Sequence, residues 1–361
     1  MHSRFCREVP LMNVPGSPYL FYASDDDMSR QSFSGLKGCW VVVDLRVHPP
    51  HEGLLLDQKK LLFDIQVKLR MNGIHVFSEE EFSRVTTGNP FLYINAMISK
   101  FGPDDRSADI EYVFSIHAAL KQSTYLTRNT EIKIVGATTW FANGTGVCHG
   151  LLEIGKRIYD LIDEFIRFFP VDQKQSFANR YIIDCGGWKG DSVKELREIF
   201  DPGCDICIHT FEAHPRFASF YENIENHMLH SQAVWTREGE IDFYLQEDDP
   251  VHNKDELGMG HSLFKEKRNI DSNKMMRVPS IDFSKWILDS FRKDDFIILK
   301  MDIEGAEYDV LNKMIQDGSM SYIDALYVEF HHDKYPEIVS KTEYDKICSQ
   351  IKVPTFEINP Y

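Results

Sequence analysis

Four carboxylates in this chain stand where strand-like segments run out, and two of them sit beside glycine-containing turns. Asp184 closes residues 181–184 and precedes Gly186, Gly187 and Gly190; Glu212 closes residues 206–211; Asp302 and Glu304 follow residues 296–301. A glycine turn between a strand and a helix lets backbone approach a ligand with no Cβ in the way, and an acid at the end of the next strand is placed to accept hydrogen bonds from ribose hydroxyls. The helix after the glycines opens with Asp191-Ser192. A negative charge there repels a pyrophosphate, so the ligand read from this spacing is a nucleoside without phosphates. Asp184 suits a cationic amino-acid portion of such a ligand, directly or through water.

The candidates for proton transfer are Asp302, Glu304, His331 and His332, the two histidines following the strand-like Tyr327-Val-Glu-Phe330. Asp, Glu and His together can also hold a divalent ion, but this set reads first as a positioning and hydrogen-bonding group, and no metal is assigned. Residues 246–277, with Gly258, Gly260 and His261, form a long polar insertion that reads equally as an acceptor lid with glycine hinges or as a surface loop.

These groups need a scaffold. From Tyr181 onward strand-like and helix-like runs alternate, which predicts an α/β domain with a mostly parallel, doubly wound sheet over 179–361. The segment before it follows a different plan. Residues 39–45 and 74–77 read as strands around an amphipathic helix bearing Leu61, Leu62, Ile65 and Leu69. Residues 90–98 and 110–120 then read as an antiparallel hairpin, which 131–140 extends, and a closing helix carries Ile154, Ile158, Leu161, Ile162, Phe165 and Phe169 on one stripe. The result is a smaller α+β domain over 35–172, after a loosely ordered tail over 1–34, with the junction in the polar segment 170–180. His48, His51, His75 and His117 are scattered over its elements and read as surface or packing residues. This domain is expected to serve a protein partner or self-association rather than chemistry.

Bulk properties narrow the classes. With 40 Lys and Arg against 56 Asp and Glu, the net charge of -16 and the absence of basic runs exclude a nucleic-acid partner. The seven cysteines show no disulfide framework, and Cys204-Asp-Ile-Cys207 lacks the second pair that a zinc site requires. No apolar run reaches the ~20 residues of a membrane span, and the first thirty residues lack a signal peptide's apolar centre. The expectation is a soluble, cytoplasmic protein with no membrane contact. Asn143-Gly-Thr145 reads as a polar turn.

Asp184-Cys-Gly-Gly-Trp-Lys-Gly-Asp-Ser192 resembles motif I of class I S-adenosylmethionine-dependent methyltransferases, and Phe211-Glu-Ala-His-Pro215, residues 233–244 and Leu299-Lys-Met-Asp-Ile-Glu-Gly-Ala-Glu307 are similar to blocks of the FkbM-type branch. The resemblance covers roughly residues 179–350 and implies a Rossmann-like fold with S-adenosylmethionine as cofactor. It implies further that the methionyl portion lies near Asp184, Gly186, Gly187 and Gly190, the ribose on Glu212, the adenine near Ser231, Gln232 and Ala233, and the transfer beside Asp302 and Glu304. Trp188 departs from the pattern, standing where this branch often has Asn. The implied activity is O-methylation of a sugar or small metabolite, with a small-molecule or glycan acceptor. The alternatives are a non-catalytic methyltransferase-like scaffold and a nicotinamide-dependent oxidoreductase, the latter disfavoured by the glycine spacing.

Overall fold

The computed structural model describes residues 8–10, 20–48, 56–85, 88–101, 111–246, 260–267, 269–332 and 339–358. The chain divides into two compact units between Ser176 and Phe177.

The first unit is built on a six-stranded sheet. Its strands are β1 (Glu8–Pro10), β2 (Leu20–Ser24), β3 (Trp40–His48), β4 (Phe91–Phe101), β5 (Glu111–Leu126) and β6 (Asn129–Cys148), in the order β1-β2-β6-β5-β4-β3. Among these described strands only β3 and β4 pair in parallel. The helices are α1 (Asp27–Gln31), α2 (Gln58–Met71), α3 (Glu79–Arg84) and α4 (Leu151–Phe168). Asp57 caps α2 by accepting from Lys59 N at 2.7 Å, and the apolar stripe of α4 is buried from Ile154 through Phe165. Trp140 of β6 lies wholly buried, its ring centroid 5.3 Å from that of Phe165.

Three expectations change here. Residues 20–34, read as tail, supply β2 and α1, because Phe33 finds an apolar socket against Trp140, Phe165, Phe168 and Phe169. Residues 74–77 form no strand and make a single bridge, Cys39 to Val76. Asn143 lies within β6 rather than in a turn, its Oδ1 bonded to His117 Nδ1. Residues 1–7 and 11–19 of the expected tail, and His51, fall outside the described residues.

The second unit contains a six-stranded, wholly parallel sheet of β7 (Arg180–Cys185), β8 (Cys207–Phe211), β9 (His227–His230), β13 (Phe296–Met301), β14 (Ala325–Val328) and β15 (Thr355–Glu357). The order is β15-β14-β13-β7-β8-β9, so the direction of winding reverses between β7 and β13. All six residues of β13 are buried, as a central strand covered on both faces requires. The helices of this unit are α5 (Asp191–Phe200), α6 (Phe283–Ser290), α7 (Glu307–Asp317) and α8 (Lys341–Gln350). A separate three-stranded sheet holds β10 (Ala233–Trp235), β12 (Ile270–Asp282) and β11 (Gly239–Gln246). Residues 270–277, expected within a loop, are therefore strand; Met276 and Arg277 pair with Phe243 and Asp242 of β11. Gly258 lies outside the described residues. No described helix is long and apolar enough to cross a membrane.

Candidate active site

The reversal between β7 and β13 brings two turns into contact. Asp302 N donates to Cys185 O at 3.0 Å, and Gly186, at φ +83°, passes so close that a Cβ there would lie 1.8 Å from the Asp302 carbonyl oxygen. Gly187 is confined in the same way, its Cβ position lying 2.3 Å from Thr210 Cγ2 and 2.4 Å from the Tyr221 hydroxyl. Both Gly186 N and Gly187 N donate to Phe211 O, at 3.0 and 3.3 Å. The two glycines thus let the ends of β7, β8 and β13 close on one another, and that internal packing already requires them.

Asp184 is wholly buried, accepting from Ser192 Oγ at 2.7 Å, with the Lys300 ammonium 3.3 Å away. Burial pushes its carboxyl up, against the pull of Lys300 and Ser192. Lys300 Nζ also donates to Gly186 O at 2.9 Å and lies 3.6 Å from Asp302. Burial alone would depress this ammonium, but Asp184 and Asp302 carry it above its ordinary value. One lysine therefore holds the β7 and β13 turns together.

Glu212 is fixed by two amides, Trp188 N on Oε2 at 2.9 Å and His214 N on Oε1 at 2.7 Å. Burial pushes its carboxyl up to about 7, with those amides opposing. Trp188 takes the left-handed conformation, φ +46°, uncommon for a bulky side chain, and its carbonyl accepts from the Tyr221 hydroxyl at 3.0 Å.

Beyond β13 the chain again enters left-handed space, at Glu304 (φ +58°) and Gly305 (φ +111°). Glu307, buried in the first turn of α7, stabilises this bend by accepting from Ile303 N at 2.8 Å and Gly305 N at 2.9 Å. His331 Nδ1 lies 3.1 Å from the same Glu307 carboxylate, which aims Nε2 at three acids. Glu304 is 3.5 Å from that nitrogen, Glu329 3.7 Å and Asp302 3.9 Å. Burial would depress the imidazole, but Glu307, Glu304 and Asp302 bring it up to about 9. Glu304 is raised by burial, against Lys267 and His331. One donor atom from each of Asp302, Glu304 and His331 falls within 4.8 Å of the others, a spacing that a divalent ion could bridge.

These turns enclose a cavity of about 360 Å³. Phe211, Phe217, Ala233, Val234, Phe243 and Leu263 form its apolar wall; Glu212, Asp302, Glu304 and Glu329 line it with carboxylates, and no Lys or Arg is among its described lining residues. His261 also lines it, stacked 5.0 Å from His214 and accepting from Gln246 N at 2.9 Å. Burial depresses the His261 imidazole to about 4, so it is neutral at ordinary pH. Of the expected residues, Gly186, Glu212, Ala233, Asp302 and Glu304 line the cavity, together with Gln232. Asp184, Gly187, Gly190 and His331 are not among its described lining residues. His332 faces elsewhere, its ring stacked 4.0 Å from that of Tyr344.

Two contributors escaped the sequence reading. Glu307 carries a sequence signal, an acid in the first turn of a helix just after a glycine. Lys267 carries none, since it stands in the charged run Lys265-Glu-Lys-Arg268. Both are buried.

A parallel sheet whose winding reverses beside a cavity at its carboxyl edge defines a Rossmann-like ligand-binding unit. Residues 184–352 match the family model described as the methyltransferase FkbM domain, in agreement with the resemblance carried by 184–192 and 299–307. The match supports methyltransferase activity in general terms and implies the Rossmann-like fold. No curated protein matches the chain. Among solved structures, a dodecamer of a PelC point variant from Paraburkholderia phytofirmans is 14% identical over 43% of this chain and 98% of that chain, with a TM-score of 0.24. At that TM-score nothing about this chain follows from the likeness.

Proposed function

We propose that the second unit transfers a methyl group from S-adenosylmethionine to a hydroxyl oxygen of a sugar or small metabolite. The observation that carries this reading is the character of the cavity: four carboxylates, an apolar wall and, among the described lining residues, no cationic side chain of Lys or Arg. Such a lining suits a nucleoside that bears positive charge and no phosphate. Glu212, its oxygens oriented by two amides, is the group for a ribose hydroxyl pair, and Phe211, Ala233 and Val234 offer surface to a flat base. Bound there, the cofactor supplies an electrophilic methyl on a cationic sulfur.

The chain's own residues do the rest by position. In-line displacement gains most from holding donor and acceptor in near-attack geometry, which the joined β7 and β13 turns are built to provide. A hydroxyl acceptor also needs a group to take its proton. Glu304 is assigned that role, because it lines the cavity and burial raises its basicity. His331, carried up to about 9, is an imidazolium at neutral pH and serves as the charge that fixes Asp302, Glu304 and Glu329.

Calorimetric titration of S-adenosylmethionine and S-adenosylhomocysteine into the whole protein tests this. One-site binding is expected, with roughly 2.7 kcal/mol of added stability at a hundred times the dissociation constant. Absence of binding by both would overturn the reading and leave a scaffold role ahead.

A further inference from the structure

The acidic centre contains a second cation beside the His331 imidazolium. Lys267 is 2% exposed, and its ammonium donates to Glu304 Oε2 at 2.6 Å and to the Gly260 carbonyl. Burying an ammonium is costly unless it is paired, so a lysine drawn wholly inside marks a place where positive charge is required. The requirement is visible. Asp302, Glu304 and Glu329 crowd around His331 Nε2 at 3.5 to 3.9 Å, with Glu307 behind the ring. Carboxylates this close must be neutralised by a metal ion, by protons or by cationic side chains.

The strap that delivers Lys267 is itself tied to this spot. Ser262 Oγ donates to Glu304 O at 2.7 Å, Ser262 and Tyr244 exchange backbone hydrogen bonds at 2.8 and 3.0 Å, and Gly260 N donates to Gln246 Oε1 at 2.8 Å. The lysine is thus delivered to Glu304 by a segment anchored at several points.

We propose that Lys267 is a positioning residue that completes, beside the His331 imidazolium, the resident positive charge of the acidic centre, occupying the role a divalent metal would fill there and holding Glu304 toward the cavity. The site then handles its acceptor without recruiting Mg²⁺ or Mn²⁺. This deepens the methyl-transfer reading and rests on it for its consequence, but the test needs no donor, so the two fail separately.

Full-length wild type, Lys267→Arg and Lys267→Met are titrated with Mn²⁺ at physiological ionic strength, with bound metal followed by electron paramagnetic resonance. The Met variant is expected to acquire one saturable site, tighter than any Mn²⁺ binding by wild type by ~10-fold or more, or about 1.4 kcal/mol. Adding Asp302→Asn removes that site, and the Arg variant, which restores the charge, shows none. A purely structural lysine would leave the Mn²⁺ signal of a folded variant unchanged. A saturable Mn²⁺ site in wild type, or none in the folded Met variant, overturns the proposal. Lys267→Gln carries the same test should the Met variant not fold by circular dichroism.

Discussion

Both units rest on six-stranded sheets, yet they treat charge in opposite ways. In the first unit the buried charged residues among those described are Asp64 and Lys68, and each is paired where α2 meets α4. Lys68 lies 2.9 Å from Asp163, and Asp64 accepts from Tyr159 at 2.6 Å and from Lys60 at 2.9 Å. The second unit also has a buried pair of that kind, Arg197 with Asp201, but its Asp184, Lys267, Lys300, Glu307, Glu329 and His331 are buried together and converge at the carboxyl edge of the parallel sheet. The difference lies in topology. Antiparallel neighbours return at once through tight turns and leave strand ends far apart in role, whereas parallel strands bring several turns to one edge. Desolvated charge is sustained there because backbone amides and opposite charges from different turns can reach it.

Matched substitutions sharpen the comparison, beginning with the largest effect. Gly186 and Gly35 both sit at positive φ, +83° and +78°, but a Cβ on Gly35 meets nothing within 4 Å. Gly35→Ala is expected to cost about 1 kcal/mol, the left-handed backbone alone. Gly186→Ala adds a collision with the Asp302 carbonyl and is expected to cost about 3 kcal/mol or more, read by urea unfolding. Equal losses would mean that the welded turns are not what holds the second unit's edge.

Next in size is Glu212→Ala. Hydrogen bonds to a carboxylate contribute about 1.5–3 kcal/mol, so S-adenosylhomocysteine binding is expected to weaken by roughly 10- to 100-fold in calorimetry. His117→Ala, on the first unit's sheet, is expected to leave that binding unchanged. A response to His117 as large as the response to Glu212 would end the assignment of chemistry to one unit.

How much of this was legible depended on the range of the interactions. Hydrophobic stripes are local, so the α4 helix with Ile154 to Phe165 and the β4 and β5 hairpin were readable from periodicity. Asp302, Glu304 and Glu212 were readable because an acid closing a buried strand is a local pattern too. Phe33 was not, since its socket is formed by Trp140 and Phe165, over a hundred residues away. Lys267 was hidden for the same reason. Nothing in a run of alternating charges reveals which member will be drawn inside by a carboxylate on another turn. The strand over 270–277 was masked by its polar residues, half exposed on a three-stranded sheet.

The histidines of the second unit give a pH test. Burial first, then the adjoining histidine rings and, for His227, Arg197, depress His209 and His227 to about 4, below the ordinary 6.5. Their contribution to stability is therefore complete above pH 6.5 and is lost as pH falls through about 4. His331, raised to about 9, behaves oppositely: its contribution is complete below 6.5 and lost as pH rises through about 9. Denaturant midpoints followed from pH 4 to 9.5 should pass through a maximum near neutrality, and His227→Gln should flatten the acid limb. An unchanged acid limb in that variant would refute the assignment.

The smallest expected effects come from two identical caps. Ser78 with Glu81 and Ser340 with Glu343 each form a capping box, opening α3 in the first unit and α8 in the second. Replacing either serine with alanine is expected to cost about 1 kcal/mol. The caps differ in what their helices support. No residue of α3 is buried. The α8 helix presents Tyr344, whose ring stacks 4.0 Å from His332 and packs 5.2 Å from Phe330, both at the end of β14 beside His331. Loosening α8 should therefore reach the acidic centre, whereas loosening α3 should not. Turnover is expected to fall about 2- to 3-fold in Ser340→Ala, within the reach of a slight misplacement of reacting groups, and to stay level in Ser78→Ala. Equal turnover in the two variants would show that Tyr344 supports the fold of β14 without positioning the acidic centre at its end.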